Sequence, residues 1–358
     1  MQQLCPSNEG WGPLSPSRPV DFTPCFQHGV LIAGLNMLFI LVACLRLRAL
    51  RDSPMLPSTV VAQTQFWAKM TIATMVLVAS AAELLVLAQL YPYVNVFTVS
   101  MALQSAAAVL AIRLHWREQF TNRVASTTLL LFWLATVLLA LMRLRTAIAL
   151  DVSSGPVTAC SVFLLLSLAA LVMESQAKPH MLYELDDEDE DYYPGTLEDT
   201  SRCTYQSPEE RANIFSLLAF TWMTPLLEQG YRKPLQMEDT WELGREYHPD
   251  VVNARFQRNW QEELRSGSPS LFRATMRTYG ASLALSGFYK LVKDLVSFLN
   301  PILLSRLIGF VSRYNTPMAE PIEYGYFYAI SMFLVATVQN IALQQHWVQN
   351  QRMNCLLK

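Results

Sequence analysis

The chain has 358 residues, 52% of them hydrophobic and only 16% charged, with a mean hydropathy of +0.22, against roughly 25% charge in an ordinary soluble domain. This excludes a single water-soluble globular domain. The formal net charge is −2, but nine acids lie between Glu184 and Asp199 with no base among them, and the remainder of the chain stands at +7, a balance suited to a membrane protein facing anionic lipid or organic anions.

A run of about 20 apolar residues crosses the hydrocarbon core as a helix. Five such runs occupy the first half, near Gly29–Leu45, Met70–Tyr91, Val96–Ile112, Val124–Met142 and Val157–Met173. The first is short, and Arg46, Arg48 and Arg51 follow it, where snorkelling holds its end at a headgroup surface. Basic residues are retained on the cytosolic side. Arg46, Arg48 and Arg51 after span one and Arg113, Arg117 and Arg123 after span three therefore put the N-terminus in the lumen or outside and the end of span five in the cytosol. Arg143 and Arg145, at the lumenal end of span four, vote the other way.

The first 28 residues lack the basic start and apolar core of a cleavable signal. Six cysteines show no CxxC and no metal-ligand spacing. Cys44 and Cys160 sit in apolar runs as packing residues. Cys5 and Cys25 flank a stretch rich in Pro and Ser. A lumenal placement allows a disulfide between them, and two unrelated thiols fit the spacing equally.

From Lys178 to about Ala281 the apolar runs stop. The acidic run 184–199 is too polar to build a core and repels itself, so it reads as a solvated, disordered tether. Ser207-Pro208-Glu209-Glu210 has the pattern of a capping box opening a helix; the downstream acids also make Ser207 a candidate phosphoacceptor. A helix over about 213–230, bent at Pro225, carries Phe215, Leu218, Trp222 and Leu226 on one side. It is too short to cross and reads as lying in the membrane interface. Residues 250–265 form a charged amphipathic helix with Val252, Phe256 and Trp260 at helical spacing. Two more spans follow, near Leu283–Val311 and Tyr326–Val348.

The sixth span holds Lys290, Lys293 and Asp294 within apolar sequence. Their spacing puts all three on one face, with net charge +1. Ionisable groups at membrane depth face a bundle interior or an aqueous cavity. The functional reading is an electropositive site for an organic anion; the structural one is a Lys290/Asp294 pair or snorkelling near the cytosolic end. Asn300-Pro301 is expected to kink this span. In span seven Gln339, Asn340, Gln344, Gln345, Gln349 and Asn350 are too dense for a lipid-facing helix, and either bond to neighbouring helices or line a wet pathway. Glu83 and Arg113 read as structural pairing residues. No GxxxxGK[ST], HExxH or GxSxG occurs, and the five histidines form no metal or catalytic arrangement. Nothing here supplies an ATPase site, a metal site or a nucleic-acid partner.

Three stretches resemble the long subfamily-C ATP-binding cassette transporters, of the multidrug-resistance-associated and fungal vacuolar glutathione-conjugate type. They are LCPSNEGWGPLSPSRPVDFTPCFQHG, the linker ANIFSLLAFTWMTPLLEQGYRKPLQMEDTWEL with FQRNWQEEL, and FYKLVKDLVSFLNPILLSRLIGFV with YGYFYAISMFLVATVQNIALQQHW. The resemblance implies an all-α polytopic membrane protein. A five-span accessory domain (1–176) would lead through a cytosolic linker (177–281) to the first two helices of a type-1 transport domain (282–358). It further implies that the nucleotide-binding domains, with their ATP and Mg, lie in sequence following Lys358. It places Lys290, Lys293 and Asp294 at a substrate cavity and, more weakly, Gln344. Members show Lys, His, Asp in the sixth span, so Lys293 replaces the usual His, which strengthens anion attraction and puts a proton-dependent role in doubt. The implied activity is export of glutathione conjugates from cytosol to vacuole by alternating access, with the bilayer, organic anions and the rest of the transporter as partners. The rival classes are a seven-helix receptor and a truncated membrane scaffold. Against the receptor, span three ends in AIRLHW and span seven lacks an Asn-Pro-x-x-Tyr element.

Overall fold

Helices occupy all seven apolar runs in a computed structural model that describes residues 4–357 apart from 8, 17, 52–59, 92, 122–124, 152–153, 177–207, 242–248, 266–268, 315 and 318. The acidic run 184–199 and Ser207 lie outside the described residues. The spans are α1 (Pro24–Ala49), α2 (Val60–Leu90), α3 (Val96–Thr121), α4 (Thr127–Ala149) and α5 (Ser154–Ser175). Shorter helices α6 (Ile214–Ala219), α7 (Thr224–Arg232) and α8 (Pro249–Arg265) follow. The sixth span is built from α9 (Leu271–Ser297) and α10 (Leu299–Arg313), and the seventh is α11 (Ile322–Leu357). The protein is an all-α, multi-pass membrane protein with five spans, a non-membrane linker and two further spans. The chain divides into two compact units, one holding α1–α5 and the other the helices from α7 onward.

The helices outrun the apolar windows because backbone hydrogen bonding does not stop where hydropathy falls. α1 starts at Pro24, where the Thr23 hydroxyl accepts from the Phe26 N–H and Pro occupies the first turn, a position where its missing donor costs nothing. A π-helical turn, Gln27–Ile32, then leads into the regular helix. α3 runs on past Ile112, so Arg113 and Arg117 are helical rather than in a loop. α9 begins at Leu271, well before the apolar run at Leu283.

In the first unit α3 packs on α1 and α2, α4 packs on α5, and α2 also meets α5. Lipid tails are as apolar as leucine, so close approach must come from small residues. Ala43, Ala107, Ala111, Ser80, Ser100 and Ser167 are indeed fully buried at these contacts. Larger groups fill the centre: Trp133, Leu114, Leu129 and Leu130 are buried, and Phe39 stacks on Phe132 with ring centroids 3.7 Å apart. The N-terminal segment is tied down. Cys5 and Cys25 form a disulfide with Cα atoms 5.8 Å apart, Arg18 pairs with both Glu9 and Asp21, and Asp21 accepts from the Thr146 hydroxyl of α4 at 3.1 Å.

The linker differs from one helix bent at Pro225. α6 ends at Phe220, whose φ of +56° lies in the left-handed region. A 3-10 turn (Thr221–Met223) follows, and Pro225 sits in the first turn of the separate helix α7. The proline therefore opens a helix rather than bending one. A 3-10 turn at Met237–Asp239 closes this region. There the Lys233 ammonium at 2.7 Å, with the Gln236 N–H at 3.0 Å, holds the Asp239 carboxyl below its usual range.

In the second unit α9 and α10 both pack on α11. The break between α9 and α10 falls at Phe298, one turn before Pro301, because a proline leaves the carbonyl four residues earlier without its helical donor. Further along, Gly325 lies against the Phe310 ring, and a Cβ there would sit 2.5 Å from Cε1. Gly325→Ala is expected to destabilise the α10–α11 contact by roughly 1–3 kcal/mol, as overpacking does. Thermal unfolding of the full chain in detergent checks this, and Phe310→Leu in the same chain should recover most of the loss.

Candidate functional site

Lys290 and Lys293 converge on one carboxylate. Lys293 Nζ lies 3.1 Å and Lys290 Nζ 3.5 Å from Asp294 Oδ1. Spacings of three and four residues along α9 produce this grouping, and all three side chains stay partly exposed. Two cations share one anion, so the group keeps a net positive charge and unused N–H donors that an anionic ligand can take.

One turn earlier on the same helix, Ser286 is buried in a closed polar ring with α11. Its hydroxyl donates to Asn350 Oδ1 at 2.8 Å and lies 3.0 Å from His346 Nδ1, while Asn350 Nδ2 lies 3.1 Å from His346 Nε2. The ring closes if Nδ1 carries the imidazole hydrogen and Nε2 accepts. Further along, Asn300 Nδ2 donates to Gln339 Oε1 at 3.0 Å. Gln345 Nε2 donates to the Leu217 carbonyl at 2.8 Å. Gln339, Gln345 and Asn350 are thus spent on helix-to-helix bonds. Gln344 and Asn340 are exposed, and among the described residues no hydrogen bond joins Gln344 to Lys290, Lys293 or Asp294. The sequence reading missed His346; its i, i+4 spacing with Asn350 was the available signal.

A second charged cluster, in the first unit, also escaped the sequence reading. Lys69 of α2 pairs with Glu174 of α5 at 3.0 Å, and both side chains are at most 4% exposed. Glu174 also accepts from the Ser126 N–H at 3.1 Å and lies 3.4 Å from His115 Nδ1. The Trp133 indole N–H lies 3.3 Å from His115 Nε2. Tryptophan can only donate, so Nε2 accepts and Nδ1 carries the hydrogen that faces Glu174. Four spans, α2 to α5, meet in this cluster, which makes it a structural clasp rather than a ligand site.

Glu83 finds the structural partner anticipated for it, with Arg143 Nη2 at 2.9 Å. Arg145 donates to the carbonyls of Val20 at 2.6 Å and Pro19 at 2.9 Å. The two arginines that opposed the topology vote are therefore committed to the fold. Arg113 is exposed. No group of three or more His, Cys, Asp or Glu with metal-binding geometry occurs among the described residues.

Residues 2–171 match the family model of the ABC transporter TMD0 domain. The chain is 29% identical to the metal resistance protein YCF1 of Saccharomyces cerevisiae over 97% of its own length and 24% of that protein's. It is 30% identical to ATP-binding cassette sub-family C member 3 of Mus musculus, over 70% of this chain and 18% of the relative. It is 32% identical to the ATP-binding cassette transporter abc2 of Schizosaccharomyces pombe, over 66% and 16%. The chain spans a quarter or less of the length of these relatives. It carries an N-terminal ABC-transporter TMD0-like domain and is related, at low identity, to the subfamily-C ABC transporters.

Proposed function

We propose that this chain is the N-terminal membrane portion of an ATP-driven exporter of organic anions, with glutathione conjugates as the substrate class and a vacuole as the destination. The observation that carries the reading is the Lys290–Lys293–Asp294 group on α9, an electropositive site at membrane depth beside a helix break. Such groups are costly there unless they serve a cavity. The relation to subfamily-C transporters supports the same reading, and the name of the yeast relative suggests metal complexes of such anions as further cargo. ATP and Mg would be bound by nucleotide-binding domains supplied by sequence beyond these 358 residues, since none of the phosphate-loop patterns occurs within them.

The N-terminus is lumenal in this proposal. The Cys5–Cys25 disulfide suits an oxidising compartment, and the commitment of Arg143 and Arg145 to fold contacts removes the main objection to that orientation. The linker helices α6 and α7 lie in the membrane interface, a reading supported by Tyr231 of α7, which is 94% exposed beside Arg232. The accessory spans and the linker serve docking, trafficking or regulation.

The test is conjugate uptake into sealed vesicles carrying the protein extended to the length of its relatives. ATP-dependent uptake that glutathione conjugates compete for is the expected result. No uptake by protein shown to be folded and inserted would overturn the exporter reading and move the weight to a receptor or scaffold.

A further inference from the structure

Three arginines of the first unit are answered by carboxylates within the fold. Arg18 has Glu9 and Asp21, Arg46 has Glu118 at 3.0 Å, and Arg143 has Glu83. At the end of the bundle where α1 and α3 finish, four others have no carboxylate partner among the described residues: Arg48, Arg51, Arg113 and Arg117. The ends of α1 and α3 that carry them are held together. Arg117 Nη2 donates to the carbonyls of Leu50 at 2.6 Å and Arg51 at 3.0 Å, which pins α3 to the end of α1. Arg113 lies one turn before Arg117 on the same face of α3, and Arg48 one turn before Arg51.

The Arg117 bonds take two carbonyls just past the last residue of α1, at the negative end of its dipole. Arg48, Arg51 and Arg113 are exposed. Interleaved with them are the exposed apolar side chains Leu45 and Trp116. A tryptophan between arginines at a helix end is the composition of a headgroup boundary, where the ring meets acyl chains and the guanidinium groups meet phosphate.

We propose that Arg48, Arg51, Arg113 and Arg117 form a binding site for the phosphorylated headgroup of an anionic membrane lipid, of the phosphoinositide class. Guanidinium groups bind phosphate oxygens in a bidentate fork. Four of them with no carboxylate partner among the described residues suit a headgroup carrying several phosphate charges better than a zwitterionic one. Leu45 and Trp116 take the acyl chains, which selects the lipid over the free headgroup. In the orientation proposed above, this end faces the cytosolic leaflet, where anionic lipids are enriched. The site is separate from the α9 group and does not depend on the transport reading.

The test uses the full chain in phosphatidylcholine nanodiscs, titrated with short-chain phosphatidylinositol bisphosphate. Saturable binding is expected, at least roughly tenfold tighter than the binding of short-chain phosphatidylcholine. Each exposed charge removed costs roughly fivefold, so Arg51→Gln with Arg113→Gln should weaken binding roughly 25-fold, while the thermal midpoint and the Arg232→Gln control stay unchanged. Both substituted side chains are exposed and make no bond among the described residues, so the double variant keeps the helices intact. Binding by the double variant within twofold of wild type, or no preference over phosphatidylcholine, would overturn the site. Free inositol trisphosphate competing as strongly as the lipid would overturn the assignment to a membrane lipid.

Discussion

Glu174→Ala is expected to destabilise the five-helix unit by about 3–5 kcal/mol, the cost of breaking a buried ion pair by removing one partner. The loss exceeds one contact because Glu174 answers three groups on three other elements: Lys69, His115 and the Ser126 N–H. Without it, the Lys69 ammonium is stranded at 4% exposure, and the Nδ1 hydrogen of His115 loses its acceptor. The measurement is thermal unfolding of the full chain in detergent, followed by size exclusion. The double variant Lys69→Met/Glu174→Gln should recover most of the lost stability, because the amide still accepts from Ser126 and no charge is left buried. A single variant as stable as wild type would show that the cluster is not a clasp. Equal losses in the single and double variants would show that the ion pair is not what matters there.

Lys290→Ala with Lys293→Ala, in protein extended to the length of its relatives, is expected to reduce uptake of anionic conjugates at least about tenfold. The reasoning is electrostatic. The pair of substitutions turns the local charge from +1 to −1 and leaves Asp294 facing the site without either ammonium. A charge-assisted hydrogen bond contributes about 1.5–3 kcal/mol, so losing one already accounts for a tenfold effect. Expression should hold, since these side chains are partly exposed and make no bond to another helix among the described residues. Lys290→Arg with Lys293→Arg keeps the charge and should retain most of the uptake. Uptake unchanged by the alanine pair would remove α9 from the substrate path while leaving the accessory domain as described.

Much of the architecture was legible because crossing a bilayer is a demand on local composition. A helix needs a set number of apolar residues whatever its neighbours are, so the seven runs located the seven spans. Their ends were less legible, since Arg113, Arg117 and the first turns of α9 continue a helix past the apolar window. The break near Pro301 was readable from one residue, because proline removes a donor in any context. The break at Phe220 was not, since the left-handed conformation there belongs to a residue with no intrinsic preference for it.

The candidate site divides in the same way. Lys290, Lys293 and Asp294 lie within five consecutive positions of one helix, and helical geometry alone puts them together. Gln344 carried no such constraint, and the structure makes its neighbour Gln345 the bonded residue. The Ser286–His346–Asn350 ring and the Lys69–Glu174–His115–Trp133 clasp join side chains from different helices. So does the Glu83–Arg143 pair, while Arg117 of α3 reaches the backbone carbonyls of Leu50 and Arg51 just past the end of α1. By itself the sequence determined the class of protein, the number of spans, the polar linker and the charged face of α9, all of which follow from hydropathy and helical period along the chain. Only the tertiary structure decided which charges are answered by partners on other helices, because that depends on which helices pack together, and helix pairing inside a bilayer is set by small-residue contacts and buried polar bonds between segments far apart in the chain.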